Sequence, residues 1–109
     1  MIELREYLDR QARSPFGRWR AMLDTQARVK ITTALLRLEA GNTSNVKAVG
    51  KGVSELKIDF GPGFRVYFGR DGDQLVILLG GGSKKRQQRD IEDAQGRWAD
   101  YKARRRREG

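Results

Sequence analysis

Two cations and one tyrosine fall at spacings that strands would gather on one surface, and three more cations follow the last strand. In Glu55-Leu56-Lys57-Ile58-Asp59-Phe60 the alternation puts Leu56, Ile58 and Phe60 on one face and Lys57 on the other, because strand side chains point to opposite sides in turn. Phe64-Arg65-Val66-Tyr67-Phe68 repeats the pattern, burying Phe64, Val66 and Phe68 and presenting Arg65 and Tyr67. If the turn Gly61-Pro62-Gly63 keeps the two strands paired, Lys57, Arg65 and Tyr67 share one surface. The apolar run Leu75 to Leu79 fits a central strand covered on both faces. It is expected to end at Gly80-Gly81-Gly82, so that Lys84, Lys85 and Arg86 arrive at the end of the sheet.

Such a set suits a phosphodiester. A pentacoordinate phosphorus gains negative charge on its non-bridging oxygens, and fixed cations stabilise that state more than the ground state. Arg65 is the best placed by type, since its planar fork holds two phosphate oxygens at once. In RNA the neighbouring 2′-hydroxyl is a built-in nucleophile, so cleavage needs orientation, removal of one proton and support of the leaving oxygen. Tyr67 or a lysine of depressed pKa could move protons, and an aromatic could stack a base. Cations on the solvent face of a sheet are usually just solvated, so the residues alone leave an active site and a charged surface as alternatives.

Other chemistries find little support. There is no cysteine, which excludes disulfides and thiolate metal sites, and no histidine, which removes the usual proton carrier near neutral pH. Asp71 and Asp73 lie in a turn without a third ligand in a calcium pattern, so no metal is expected, and no cofactor either. Gly61-Pro62-Gly63 precedes a strand rather than a helix, and Gly80-Gly81-Gly82-Ser83-Lys84-Lys85 lacks phosphate-loop spacing. No apolar run reaches the roughly 18 residues of a membrane span, and Met1 to Glu6 lacks the order of a signal peptide, so a cytoplasmic protein with no membrane partner is expected. The net charge of +9 on 109 residues favours phosphate-rich partners by Coulomb attraction and counterion release.

The elements that must position these residues can be read in order. Ile2 to Leu8 is ambiguous between an edge strand and the start of a short helix. Ser14-Pro15 opens a helix carrying Phe16, Trp19 and Leu23 on one face. Asp24 or Thr25 caps a second, whose stripe is Ala27, Ile31, Ala34, Leu35 and Leu38 and whose end is Gly41. The two are expected to form a helical hairpin against the sheet. Val46 to Val49 is a short strand before the turn Gly50-Lys51-Gly52, and Asp71-Gly72 suits the last hairpin turn. From Gln87 the pattern is helical, with Ile91, Ala94, Trp98 and Tyr101 on one side; residues 102–109 are expected to be a frayed basic tail. The whole chain, 1–109, is taken as a single domain.

Three stretches together resemble a known family. Gly52 to Asp59, Gly61 to Phe68, and Leu78 to Lys84, with Asp90-Ile91 and Ala94 beyond, are similar to the RelE/HigB-type addiction-module toxins of the RelE/ParE superfamily, in particular its branch of addiction-module killer proteins. The likeness covers nearly the whole chain. It implies a small α/β, RelE-like fold: a mostly antiparallel sheet with an N-terminal helical hairpin on one side and a C-terminal helix. It also implies the toxin of a type II toxin–antitoxin module, restrained by a cognate antitoxin of helix-turn-helix type, which causes growth arrest. For HigB-like members it implies an mRNA interferase, a metal-independent endoribonuclease that cuts messenger RNA on the ribosome. By position, Lys57 and Arg65 match basic strand residues of the catalytic surface, and Lys84 matches the lysine after the final strand. Tyr67, Lys85, Arg86 and Arg89 are then RNA-binding residues, the last three also candidates for the antitoxin. Some relatives use a histidine or a C-terminal tyrosine. This chain has no histidine and its Tyr101 lies far along the last helix, which leaves acid and base unassigned. Two other readings remain open: a ParE-like inhibitor of DNA gyrase, and a non-catalytic nucleic-acid-binding module.

Overall fold

In the computed structural model, which describes residues 1–108, Ser14 and Asp24 start the two N-terminal helices as their types predict. Ser14 Oγ accepts from Gly17 N at 2.8 Å, with Pro15 in the first turn, and α1 spans Pro15–Ala21. Asp24 Oδ1 accepts from Ala27 N at 2.9 Å, and α2 spans Thr25–Glu39. Gly41, at φ +92°, takes the left-handed position after its end. The expected hairpin is only loosely realised, because α1 is two turns long and its contacts run to the sheet through Trp19.

The strands are β1 (Glu3–Glu6), β2 (Val46–Gly50), β3 (Val53–Ile58), β4 (Phe64–Asp71) and β5 (Leu75–Ser83). They form one sheet in the order β1-β5-β4-β3-β2, antiparallel throughout except for the parallel pair β1–β5. A 3₁₀ turn, Lys84–Arg86, leads into α3 (Gln87–Glu108). The result is the expected small α/β fold.

Helices cover both faces of the sheet, which divides the core in two. On one side α1 and α2 bring Phe16, Ala27, Ile31 and Leu38 onto Leu56, Ile58, Phe64, Val66, Phe68, Val76 and Leu78. Fully burying a side chain such as Ile31 or Leu38 stabilises by about 1.5–3 kcal/mol. On the other side α3 lays Ala94 and Trp98 on Tyr7, Val53, Tyr67, Ile77 and Leu79. Alternation assigns residues to faces, so β4 gives Phe64, Val66 and Phe68 to the first core and turns Arg65, Tyr67 and Gly69 to the other face, where Tyr67 joins the second.

Two expectations need correction. β5 does not end at the glycines but runs through them to Ser83. They are glycines because side chains occupy the space a Cβ would need: the Trp19 ring over Gly81 and the Asp90 carboxylate over Gly82. Residues 102–108 are helical rather than frayed; Gly109 lies outside the described residues. Long-range contacts hold this end. Tyr7 Oη donates to Asp100 at 2.6 Å, Arg104 pairs with Asp100 at 2.8 Å and also donates to Leu8 O, and Arg105 pairs with Asp71 at 2.9 Å. The Asp100 carboxyl is held below the usual range by the Tyr7 hydroxyl and then by Arg104.

Candidate functional site

The turn between β3 and β4 builds the site. Gly61 and Gly63 take φ of +56° and +81°, which a β-carbon would disfavour, and so let the chain reverse between two strands that stay in register. That register puts Lys57 opposite Arg65 and Glu55 opposite Tyr67. On the other side of β4, Arg65 faces Gly82 and Tyr67 faces Gly80, so β5 adds no side chain. Lys84 N donates to Gly63 O at 3.2 Å, which ties the 3₁₀ turn to the β3–β4 turn.

Lys57, Arg65 and Lys84 consequently line one open cleft of about 330 Å³, closed on its remaining side by the segment Asp59 to Gly63. Arg65 is 7% exposed. Its Nη1 donates to Gly63 O at 3.4 Å, and its Nε lies 3.7 Å from Oε1 of Glu55, a carboxylate as buried as the arginine. Gln87, the first residue of α3, donates Nε2 to Glu55 Oε2 at 2.8 Å. A buried guanidinium held by a buried carboxylate, itself held by an amide, cannot swing as a surface arginine does. Nε of Arg65 is buried without a hydrogen-bond partner among the described residues. Lys57 is different: its Nζ lies 3.6 Å from Asp59 Oδ1, but the two side chains are 52% and 81% exposed, and such a pair yields easily to a competing anion.

The remaining expected residues are distributed otherwise. Lys85, Arg86 and Arg89 are exposed on the 3₁₀ turn and the first turn of α3, outside the cleft. Arg86 lines a groove between α1 and α3 with Trp19, Asp90 and Arg97. Tyr67 is the correction. It has no exposed surface and packs under α3 with Ala94 and Trp98, so it reaches neither a base nor a phosphate. Burial first, and Glu55 second, push its hydroxyl above the ordinary tyrosine range, which also removes it as a proton carrier.

Four residues at the site escaped the sequence argument. Glu55 shares the parity of Lys57 and was open to discovery by the same alternation. Gln87 signals nothing until α3 is placed. Asp59 is the one carboxylate lining the cleft. Phe60 lies past the end of β3, half-buried, and lines the cleft with Lys30 Nζ 5.5 Å from its ring centroid. Phe60, not Tyr67, is the aromatic side chain that lines the cleft. Among the described residues no group of histidine, cysteine and carboxylate side chains could hold a metal, and no helix is long and apolar enough to cross a membrane.

The family model for phage-derived Gp49-like proteins (DUF891) matches residues 18–99, a span that contains the whole cleft. The chain belongs to this family. It is a RelE/ParE-type toxin family of addiction modules, which agrees with the fold and implies an antitoxin partner. An uncharacterized protein of Haemophilus influenzae is 42% identical over 80 residues, covering 72% of this chain and 81% of the relative.

Proposed function

We propose that this toxin is a metal-independent endoribonuclease that cuts messenger RNA on the ribosome, with Lys57, Arg65 and Lys84 as its phosphate-handling residues. The observation that carries the reading is their convergence on one cleft, with Arg65 fixed from behind by Glu55. An RNA backbone laid in the cleft meets the Arg65 fork on its non-bridging oxygens, while Lys57 and Lys84 supply charge from the rim. The 2′-oxygen attacks the adjacent phosphorus, its proton passing to Asp59. The bond to the 5′-oxygen breaks, and that oxygen takes a proton from Lys84 or water, leaving a 2′,3′-cyclic phosphate and a 5′-hydroxyl. Phe60 is placed to stack a flanking base, a contact worth about 1–3 kcal/mol. Glu55 and Gln87 act through Arg65 by positioning it. Lys85, Arg86 and Arg89 extend the cationic surface toward ribosomal RNA or the antitoxin, for which a helix-turn-helix protein is the expected type and the cytoplasm the expected setting.

The test is brief induction in cells lacking the antitoxin, with new messenger RNA 5′ ends mapped for the native chain and for Arg65→Lys. The buried pair dictates the variant: Arg65→Ala would strand Glu55 without a counter-charge, whereas lysine keeps a cation there and loses only the fork. New ends inside translated frames that fall by roughly 10²-fold in Arg65→Lys are the expected result. Growth arrest with intact transcripts sinks the nuclease and points to gyrase.

A further inference from the structure

The run of cations at the C-terminal end is not a frayed tail. Because α3 continues to Glu108, Lys102, Arg105 and Arg106 form one wall of a second cleft of about 520 Å³, whose opposite wall is Arg70 and Asp71 at the end of β4. Its floor is Trp98 and Tyr101, stacked with centroids 5.3 Å apart and planes 7° from parallel. Asp71 is already satisfied: it accepts from Tyr101 Oη at 2.6 Å and pairs with Arg105 at 2.9 Å. Arg70, Lys102 and Arg106 are exposed and form no ion pair among the described residues. Three uncompensated cations thus ring one concave surface.

We infer that this cleft is a second anion site, which holds the phosphate backbone of a folded RNA at the far end of β4 from the reactive cleft. Arg65 and Asp71 lie on the same face of β4, about 20 Å apart at ~3.4 Å per residue, with α3 lying over the strand between them. One polyanion can therefore meet both clefts. Guanidinium forks on Arg70 and Arg106 suit phosphate oxygens, and Lys102, 5.7 Å from the Trp98 ring centroid, adds a point charge. An acidic peptide fits less well. Peptide docking draws on apolar anchors, and the aromatics here are spent on each other, with Trp98 only 5% exposed. The wall from residue 102 onward also lies past the residues that the family model matches, so membership alone does not assign it. The choice of RNA over DNA rests on the nuclease reading; the anion site itself does not.

The test is titration of the full chain against a labelled 2′-O-methyl RNA hairpin, which cannot be cut through its 2′-oxygen, over a series of salt concentrations. Combined Arg70→Gln, Lys102→Gln and Arg106→Gln should weaken binding about tenfold or more at low salt. The slope of log affinity on log salt should fall by about 2–3, the loss of three phosphate contacts. Should the triple variant melt early, the three single substitutions carry the test, each taking about 0.7–0.9 off the slope. Unchanged affinity and slope overturn the site. So does a glutamate-rich peptide whose binding is lost in the variant while hairpin binding persists, which would make the cleft a peptide dock. Equal loss for a DNA hairpin, with no new messenger RNA ends in cells, would leave the anion site standing and remove the nuclease.

Discussion

β4 carries arginines at both ends, and the two ends hold them by opposite means. Near Phe64, Arg65 is inside the protein, its guanidinium set against the buried Glu55 and the Gly63 carbonyl. Near Asp71, Arg70 and Arg105 are outside, and the one ion pair there joins a half-buried carboxylate to an arginine that is 67% exposed. A buried cation has given up its water before any ligand arrives, so it is pre-organised for a charge that develops in one place. An exposed cation keeps its water and its freedom, and contributes long-range attraction that salt screens. One end is therefore suited to a reaction and the other to holding a chain of phosphates.

The largest expected effect follows from burial. Glu55→Ala should cost about 3–5 kcal/mol of folding stability, because it leaves Arg65 as an uncompensated buried charge and the Gln87 amide without its acceptor. Urea denaturation at neutral pH measures it. Glu55→Gln keeps the shape and removes the charge, and it should lower cleavage even where the protein remains folded, because Arg65 loses its orientation. A Glu55→Ala protein as stable as the native chain would mean that the two ends of β4 do not differ as described.

A smaller effect, with a pH signature, comes from the far end. Tyr101 donates to Asp71, and burial together with that carboxylate pushes its hydroxyl up to about 12. The charged form is the deprotonated one, which the folded state disfavours; the unfolded chain releases this proton first, near 10.0. The contribution of Tyr101 is thus fully present below about pH 10 and is lost as pH rises toward about 12. Tyr101→Phe should lose about 1.5 kcal/mol at neutral pH. It should also flatten the fall of stability above pH 10, without abolishing it, since Tyr7 and Tyr67 are shifted in the same direction. An equally steep alkaline fall in the variant would remove Tyr101 from the account.

The site was legible in the sequence as far as alternation reaches. Parity along two strands and one tight turn fix which residues are cross-strand neighbours, and that is enough to bring Lys57 to Arg65. It does not say which helix covers the face they share. The stripe Ile91, Ala94, Trp98 and Tyr101 announced a buried helix, yet only tertiary packing assigns it to the face of Tyr67, where Gly69 leaves room for the Trp98 ring. Tyr67 was misjudged for that reason, and Glu55 was overlooked because a strand carboxylate beside a lysine reads as surface. The C-terminal helix is the same lesson over a longer distance. Its final turns are too polar to signal burial, and they are fixed by Tyr7, Leu8 and Asp71, residues remote in the chain.

The smallest effect separates the two ends most directly. Arg105→Ala removes one partner of an ion pair, as Glu55→Ala does, yet it should change stability by only about 0.2–1 kcal/mol. Arg105 is solvated in the native protein, so little desolvation is recovered or lost with it. The Asp71 carboxylate left behind still accepts from Tyr101 at 2.6 Å. Added salt should shrink even this difference, since screening acts on the exposed pair and hardly on Glu55 and Arg65. Urea denaturation of the native chain, Arg105→Ala and Glu55→Ala at low and high salt reads both contrasts at once. A loss of several kcal/mol in Arg105→Ala that resists salt would place this pair among the buried ones, and the two ends of β4 would then not differ in how they hold their arginines.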